Sequence, residues 1–97
     1  MLRYSVEVPV NIFKEGGQFV AHCPVLDLST SGHTFEQVQE RFQEALDMFL
    51  EDLVEQGTLD EVLRSYGWHK ISKPRPHWAP PRLISSTAQE AHIPVGA

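Results

Sequence analysis

The chain has 97 residues, a formal net charge of −5, and 41% hydrophobic and 22% charged residues. One domain is the default at this length, and the composition excludes wholesale disorder. Cys23 is the sole cysteine, which excludes an intrachain disulfide and a cysteine-built zinc site.

The charge is unevenly spread. Residues 1–61 carry 12 acidic and 3 basic groups, net −9, and residues 62–97 carry 5 basic and 1 acidic, net +4. An acidic body repels phosphates and attracts basic partners. The opening "MLRYSVEVPV" alternates polar and apolar residues, unlike a signal-peptide core or a membrane span. A soluble cytoplasmic protein in a reducing compartment is the resulting expectation.

Tyr4, Val6, Val8, Val10 and Ile12 fall on every second position, which predicts a strand with one apolar face. Pro9 cannot donate to a ladder and marks an edge or bulge. "KEGG" reads as a hairpin turn into "QFVAHC", whose Phe19, Ala21 and Cys23 share a face, with Val20 and His22 on the other. Pro24 ends this strand. "LDLSTSG" predicts a weaker third strand with Leu26, Leu28 and Thr30 on one side, and Gly32 reads as a turn before the next element.

The period then changes. Thr34 and Gln37 have capping-box spacing, and Phe35, Val38, Phe42, Leu46, Phe49, Leu50 and Leu53 recur at helical spacing until Gly57, a natural C′ residue. Glu36, Glu40, Glu44, Asp47, Glu51 and Glu55 gather on the opposite side, and Arg41 is the helix's only basic residue. Thr58, with Glu61 three positions on, opens a second short helix ended by Gly67. "WHKIS" is a candidate fourth strand. "KPRPHWAPPR" reads as extended because of its prolines, although Trp78 within it favours burial. Thr87 and Glu90 repeat the capping spacing, and the apolar run at Ile93 and Val95 suggests an extra C-terminal strand. The predicted fold is therefore α+β, a two-layer β-β-β-α sandwich with a second short helix. Residues 1–73 form the body and residues 74–97 a proline-rich extension that packs on the sheet or on a neighbouring subunit.

Reactive constellations are sparse. His22 and Cys23 are strand neighbours, so they point to opposite faces and share neither an ion nor a proton. His69 and His77 lack ligand spacing, and the helical acids spread over about 30 Å instead of converging. Gly16-Gly17 and Gly32 lack phosphate-cradle spacing. The expectation is no catalytic, cofactor-binding or metal-binding residues. Two alternatives remain open. One is a metal-dependent nuclease, which needs Glu7, Asp27 and a helical acid such as Glu36 within a few ångströms. The other is nucleic-acid binding through Arg64, Lys70, Lys73, Arg75 and Arg82, with Trp68 or Trp78 as stacking platforms.

"GGQFVAHCPVLDL", a hairpin strand followed by Cys-Pro and a leucine, continues into "SGHTFEQVQERFQEALDMFLEDL", where a Gly-x-Thr turn opens a long amphipathic helix. With "GTLDEVLRSYGWHKI", a proline-flanked Trp and the final "AHIPV", this order resembles the HicB-like antitoxins of bacterial toxin–antitoxin pairs over nearly the full chain. The resemblance implies a truncated ribonuclease H-like fold without that enzyme's catalytic carboxylates. It implies as partner a small basic ribonuclease toxin of the HicA type, covered on its active face. Full-length family members end in an operator-binding domain. Here only 24 residues follow Lys73, with four early prolines. The resemblance is thus to stand-alone members or orphan relatives, and nucleic acid is not an expected partner. The acidic stripe is the expected partner-binding face. A homo-oligomer, dimer or higher, is expected through β-edge pairing or the tail, with Trp78, Ile93 and Val95 as contacts.

Overall fold

A computed structural model describes residues 6–96. Strands β1 (Asn11–Glu15), β2 (Gln18–Cys23) and β3 (Leu28–Gly32) form an antiparallel sheet in that order, followed by helix α1 (Phe35–Gln56) and the short helix α2 (Leu59–Ser65). Strands β4 (His69–Ile71) and β5 (His77–Ala79) form a separate antiparallel hairpin. The architecture is α+β, with α1 lying over β2 and β3. No helix among the described residues is long and apolar enough to cross a membrane.

The β1–β2 register follows from the Gly16-Gly17 turn. Gly16 has φ +58° and Glu15 faces Gln18, so the first central residue takes the left-handed conformation that glycine tolerates without cost. The ladder runs back only to Asn11, opposite His22. This corrects the strand expected over residues 4–12: Tyr4 lies outside the described residues, and residues 6–10 belong to no ladder. Extending the same register would set Val10 against Cys23 and Pro9 against Pro24, two residues that cannot donate. Val6, Val8 and Ile12 nevertheless pack, half-buried, against the core.

On β2, Ala21 and Cys23 are fully buried toward α1. Residues 24–27 form the turn to β3, with Leu26 buried within it and Asp27 in the left-handed region at φ 51°. Leu26 thus belongs to the turn, while Leu28 and Thr30 take the half-buried strand positions.

Gly32 is the last residue of β3 and not a turn residue. A Cβ built there would stand 2.9 Å from the Val38 backbone nitrogen and 3.1 Å from its Cα. The helix approaches the sheet so closely that only glycine fits.

Helix α1 is capped at both ends by its own sequence. Thr34 Oγ1 accepts from the Gln37 backbone N–H at 3.0 Å. Gln37 Oε1 returns to the N–H of His33, one residue before the cap, at 2.6 Å. At the far end, Thr58 N–H bonds Leu53 O at 2.9 Å and Gly57 N–H bonds Val54 O at 3.1 Å, a Schellman motif around Gly57 at φ +70°. Gly57→Ala is expected to cost about 1 kcal/mol through the positive φ, since its Cβ would meet nothing. A urea titration with an unchanged midpoint would contradict this.

Val38, Phe42, Leu46 and Leu53 are buried along α1, as their spacing predicts. Phe35 is 46% exposed and meets Phe19 edge-on at 6.4 Å. For α2 the capping expectation is corrected: the Thr58 side chain makes no cap hydrogen bond. The N–H groups of Gly67 and Trp68 close its C-terminus onto Arg64 and Leu63.

The hairpin corrects the reading of residues 73–82 as merely extended. β4 pairs with β5, Ile71 against His77, across a five-residue connection, residues 72–76, that contains a cis Lys73–Pro74 bond. Prolines 74, 76 and 80 flank the three-residue ladder instead of occupying it. The 73/74 line drawn from composition therefore falls inside this hairpin. Trp68 and Trp78 join the same core cluster as Ala21, Cys23, Leu26 and Leu63. Trp68 is 1% exposed, and its Nε1 donates to Val25 O at 3.0 Å, tying the β2–β3 turn to the start of β4.

The extra C-terminal strand is corrected as well. Residues 80–96 carry no regular structure, and no helix starts after Thr87. Pro94 interrupts the apolar run at Ile93 and Val95, and nothing within the described chain pairs with it.

Candidate functional site

The outer face of α1 carries a row of acidic side chains. Glu36, Glu40, Glu44, Asp47, Glu51 and Glu55 are all exposed, spread over about 28 Å of helix. Among the described residues none of the six forms an ion pair. Gln43 Nε2 donates to Asp47 Oδ1 at 3.1 Å, and Arg41, the helix's one cation, turns away to donate to Ser31 O at 3.0 Å. The last turn holds no basic residue to complement the helix dipole.

This arrangement costs stability. The successive pairs Glu36–Glu40, Glu40–Glu44, Glu44–Asp47, Asp47–Glu51 and Glu51–Glu55 are three or four residues apart. Like charges at that spacing repel by a few tenths of a kcal/mol each, so the stripe costs about 1 to 2 kcal/mol at low salt. A cationic surface laid along it would reverse the sign.

Two apolar residues on this side went unremarked in the sequence reading. Met48 is 63% and Val54 61% exposed. Val54 stands five helical turns from Glu36 and so lies within the stripe; Met48 borders it. Their positions off the core-facing series were the available signal. The charged strip thus has exposed aliphatic groups within and beside it.

The alternatives find less support in the geometry. Glu7, Asp27 and Glu36 do not converge, and no group of three metal-ligating side chains occurs among the described residues. His22 points away from Cys23, with Nε2 3.7 Å from Asp27 Oδ1. Cys23 is closed off from solvent, and burial pushes its thiol up, with the Val25 and Leu26 backbone N–H groups acting in the opposite direction.

The basic segment forms no continuous strip. The Arg64 and Lys70 head groups lie 5.8 and 5.7 Å from the Trp78 ring centroid, and Lys70 also meets Asp60 at 3.3 Å. Lys73 and Arg75 sit in the β4–β5 connection, and Arg82 in the tail. Neither tryptophan offers an exposed face for a base, since Trp78 is 4% and Trp68 1% exposed. Trp78 therefore leaves little surface for a second copy, whereas Ile93 and Val95 are 86% and 92% exposed. An open groove of about 670 Å³ lies between Val6, Glu7 and the hairpin residues Pro74, Pro76 and Trp78, without a nucleophile–base pair among its described lining residues.

Comparison with family models, with curated proteins and with solved structures returns no match.

Proposed function

We propose that the chain is a non-catalytic, cytoplasmic binding protein of HicB antitoxin type, or an orphan relative, built on a truncated ribonuclease H-like fold. Its partner is a small basic ribonuclease, held through the acidic face of α1. The observation that carries this reading is the unpaired row of six carboxylates on one 22-residue helix. The folded chain bears their mutual repulsion, and a basic partner would relieve it. Opposite potentials steer encounter and select among partners more than they set affinity. The quoted sequence resemblance supplies the partner's identity; the charge pattern is compatible with it.

Reversing Glu40, Glu44, Asp47 and Glu51 to lysine is expected to leave the helix intact and to abolish neutralisation of the basic ribonuclease encoded beside this chain. Binding should weaken by about a hundredfold or more, and wild-type binding should itself weaken with salt. Circular dichroism checks the fold, and a ribonuclease inhibition assay reads the effect. Full inhibition by the reversed variant, or no inhibition by the wild type, would sink the reading.

A further inference from the structure

The tail is the part of the molecule least explained by its own fold. Residues 80–96 carry no regular structure, yet Leu83, Ile84, Ile93 and Val95 are 77%, 82%, 86% and 92% exposed. The Cα radius of gyration is 16.9 Å and the long axis 62 Å, against about 12.5 Å for a compact chain of this length. This segment projects away from the body instead of covering it.

The body, in turn, has a sheet edge, β1, with which no second strand pairs among the described residues. Among the described residues, no backbone hydrogen bond outside the β1–β2 ladder reaches β1. The opposite edge is blunted, because Arg41 occupies the Ser31 carbonyl of β3 and α1 lies over that strand. β1 also carries Phe13, 55% exposed, opposite Val20 on the sheet face turned away from α1. An open edge with an apolar side chain beside it is a template for another strand.

The geometry points to a second copy of this chain as the occupant: residues 91–95 of one copy add as a fourth strand to β1 of the other, reciprocally. In an extended segment Ile93 and Val95 fall on one face and Pro94 on the other. Main-chain groups of alternate residues point to the same side. When Ile93 and Val95 bond to β1, the nitrogen of Pro94 faces outward, where its missing hydrogen costs nothing. The same proline leaves the outer edge of the added strand unable to take a further one, so pairing closes at two copies. Ile93 and Val95 then cover Phe13.

Reach agrees with exchange between copies. Residues 82–96 span on the order of 50 Å when extended, more than either short dimension of the molecule, 30 and 24 Å. This pairing does not depend on the antitoxin reading, which concerns the outer face of α1.

Sedimentation equilibrium of the full chain is expected to show a dimer at high micromolar concentration. Ile93→Asp with Val95→Asp should raise the dissociation constant by about a hundredfold, because two aliphatic side chains lose their cover. Phe13→Asp should act alike from the receiving side. Hydrogen exchange should show the β1 amides that face away from β2 protected in the wild type and unprotected in the double variant. All three residues are exposed in the single chain, so these variants keep the fold. A monomeric wild type would overturn the proposal. So would a double variant that dimerises unchanged, or dissociation caused instead by Leu83→Asp with Ile84→Asp.

Discussion

Trp68→Ala is expected to leave a chain that is barely folded at 25 °C. The side chain is 1% exposed and belongs to the cluster that joins sheet, α2 and the β4–β5 hairpin. Removing a buried aromatic group of this size typically costs about 3 to 5 kcal/mol, against a total of about 5 to 15 for a domain. Trp68→Phe separates the components. It keeps part of the ring's volume but leaves Val25 O without its donor, a loss of about 1 kcal/mol or more beyond the lost volume. The same change at Trp78 serves as the control. Its Nε1 is buried with no partner among the described residues, so phenylalanine removes an unmet donor together with the volume. Urea unfolding should therefore rank Trp68→Phe as clearly more destabilising than Trp78→Phe. Equal losses would mean that the bond to Val25 O contributes nothing.

Gly32→Ala is the second large effect. The added methyl would press on backbone atoms of Val38 at 2.9 and 3.1 Å, and backbone cannot rotate aside as a side-chain end can. Either α1 lifts from β3 or the strand end bends, and overpacking of this kind costs about 1 to 3 kcal/mol. Val38 and Phe42 would lose contact with Ala21 and Cys23 if the helix lifts, which adds to the loss. Gly17→Ala, where a Cβ meets open space and φ is not positive, should change stability by only a few tenths. A midpoint for Gly32→Ala within error of the wild type would show that the contact relaxes freely.

The parts of this fold that were legible from the sequence are those specified locally. The Thr34–Gln37 pair, the 3.6-residue spacing from Val38 to Leu53, and Gly57 define α1 without reference to anything distant. The Gly16-Gly17 turn and the alternation of Phe19, Ala21 and Cys23 do the same for β2. The acidic row was legible too, because a helix face needs only the helix. What was not legible depends on register or on tertiary contact. The alternation from Tyr4 to Ile12 suggests a strand, but where the ladder stops is decided by two prolines meeting in register, which one strand's pattern cannot reveal. Gly32 carries the same letter whether it turns the chain or admits a helix, and only α1's docking distinguishes the two. Prolines 74, 76 and 80 hide a ladder of three residues, which forms because Trp78 is drawn into the core beside Trp68. Met48 and Val54 look like core candidates by type and are exposed by angle.

The sealed sulfur of Cys23 makes the molecule its own clock. At 0% exposure, and with its proton held more tightly than in a free thiol, it cannot react with an alkylating reagent while helix and sheet stay closed. Labelling can proceed only from opened molecules, so its rate reports the population of the open form at low reagent and the frequency of opening at saturating reagent, without any engineered probe. The sole thiol of the chain is thereby turned from a bystander into a gauge of every substitution discussed above.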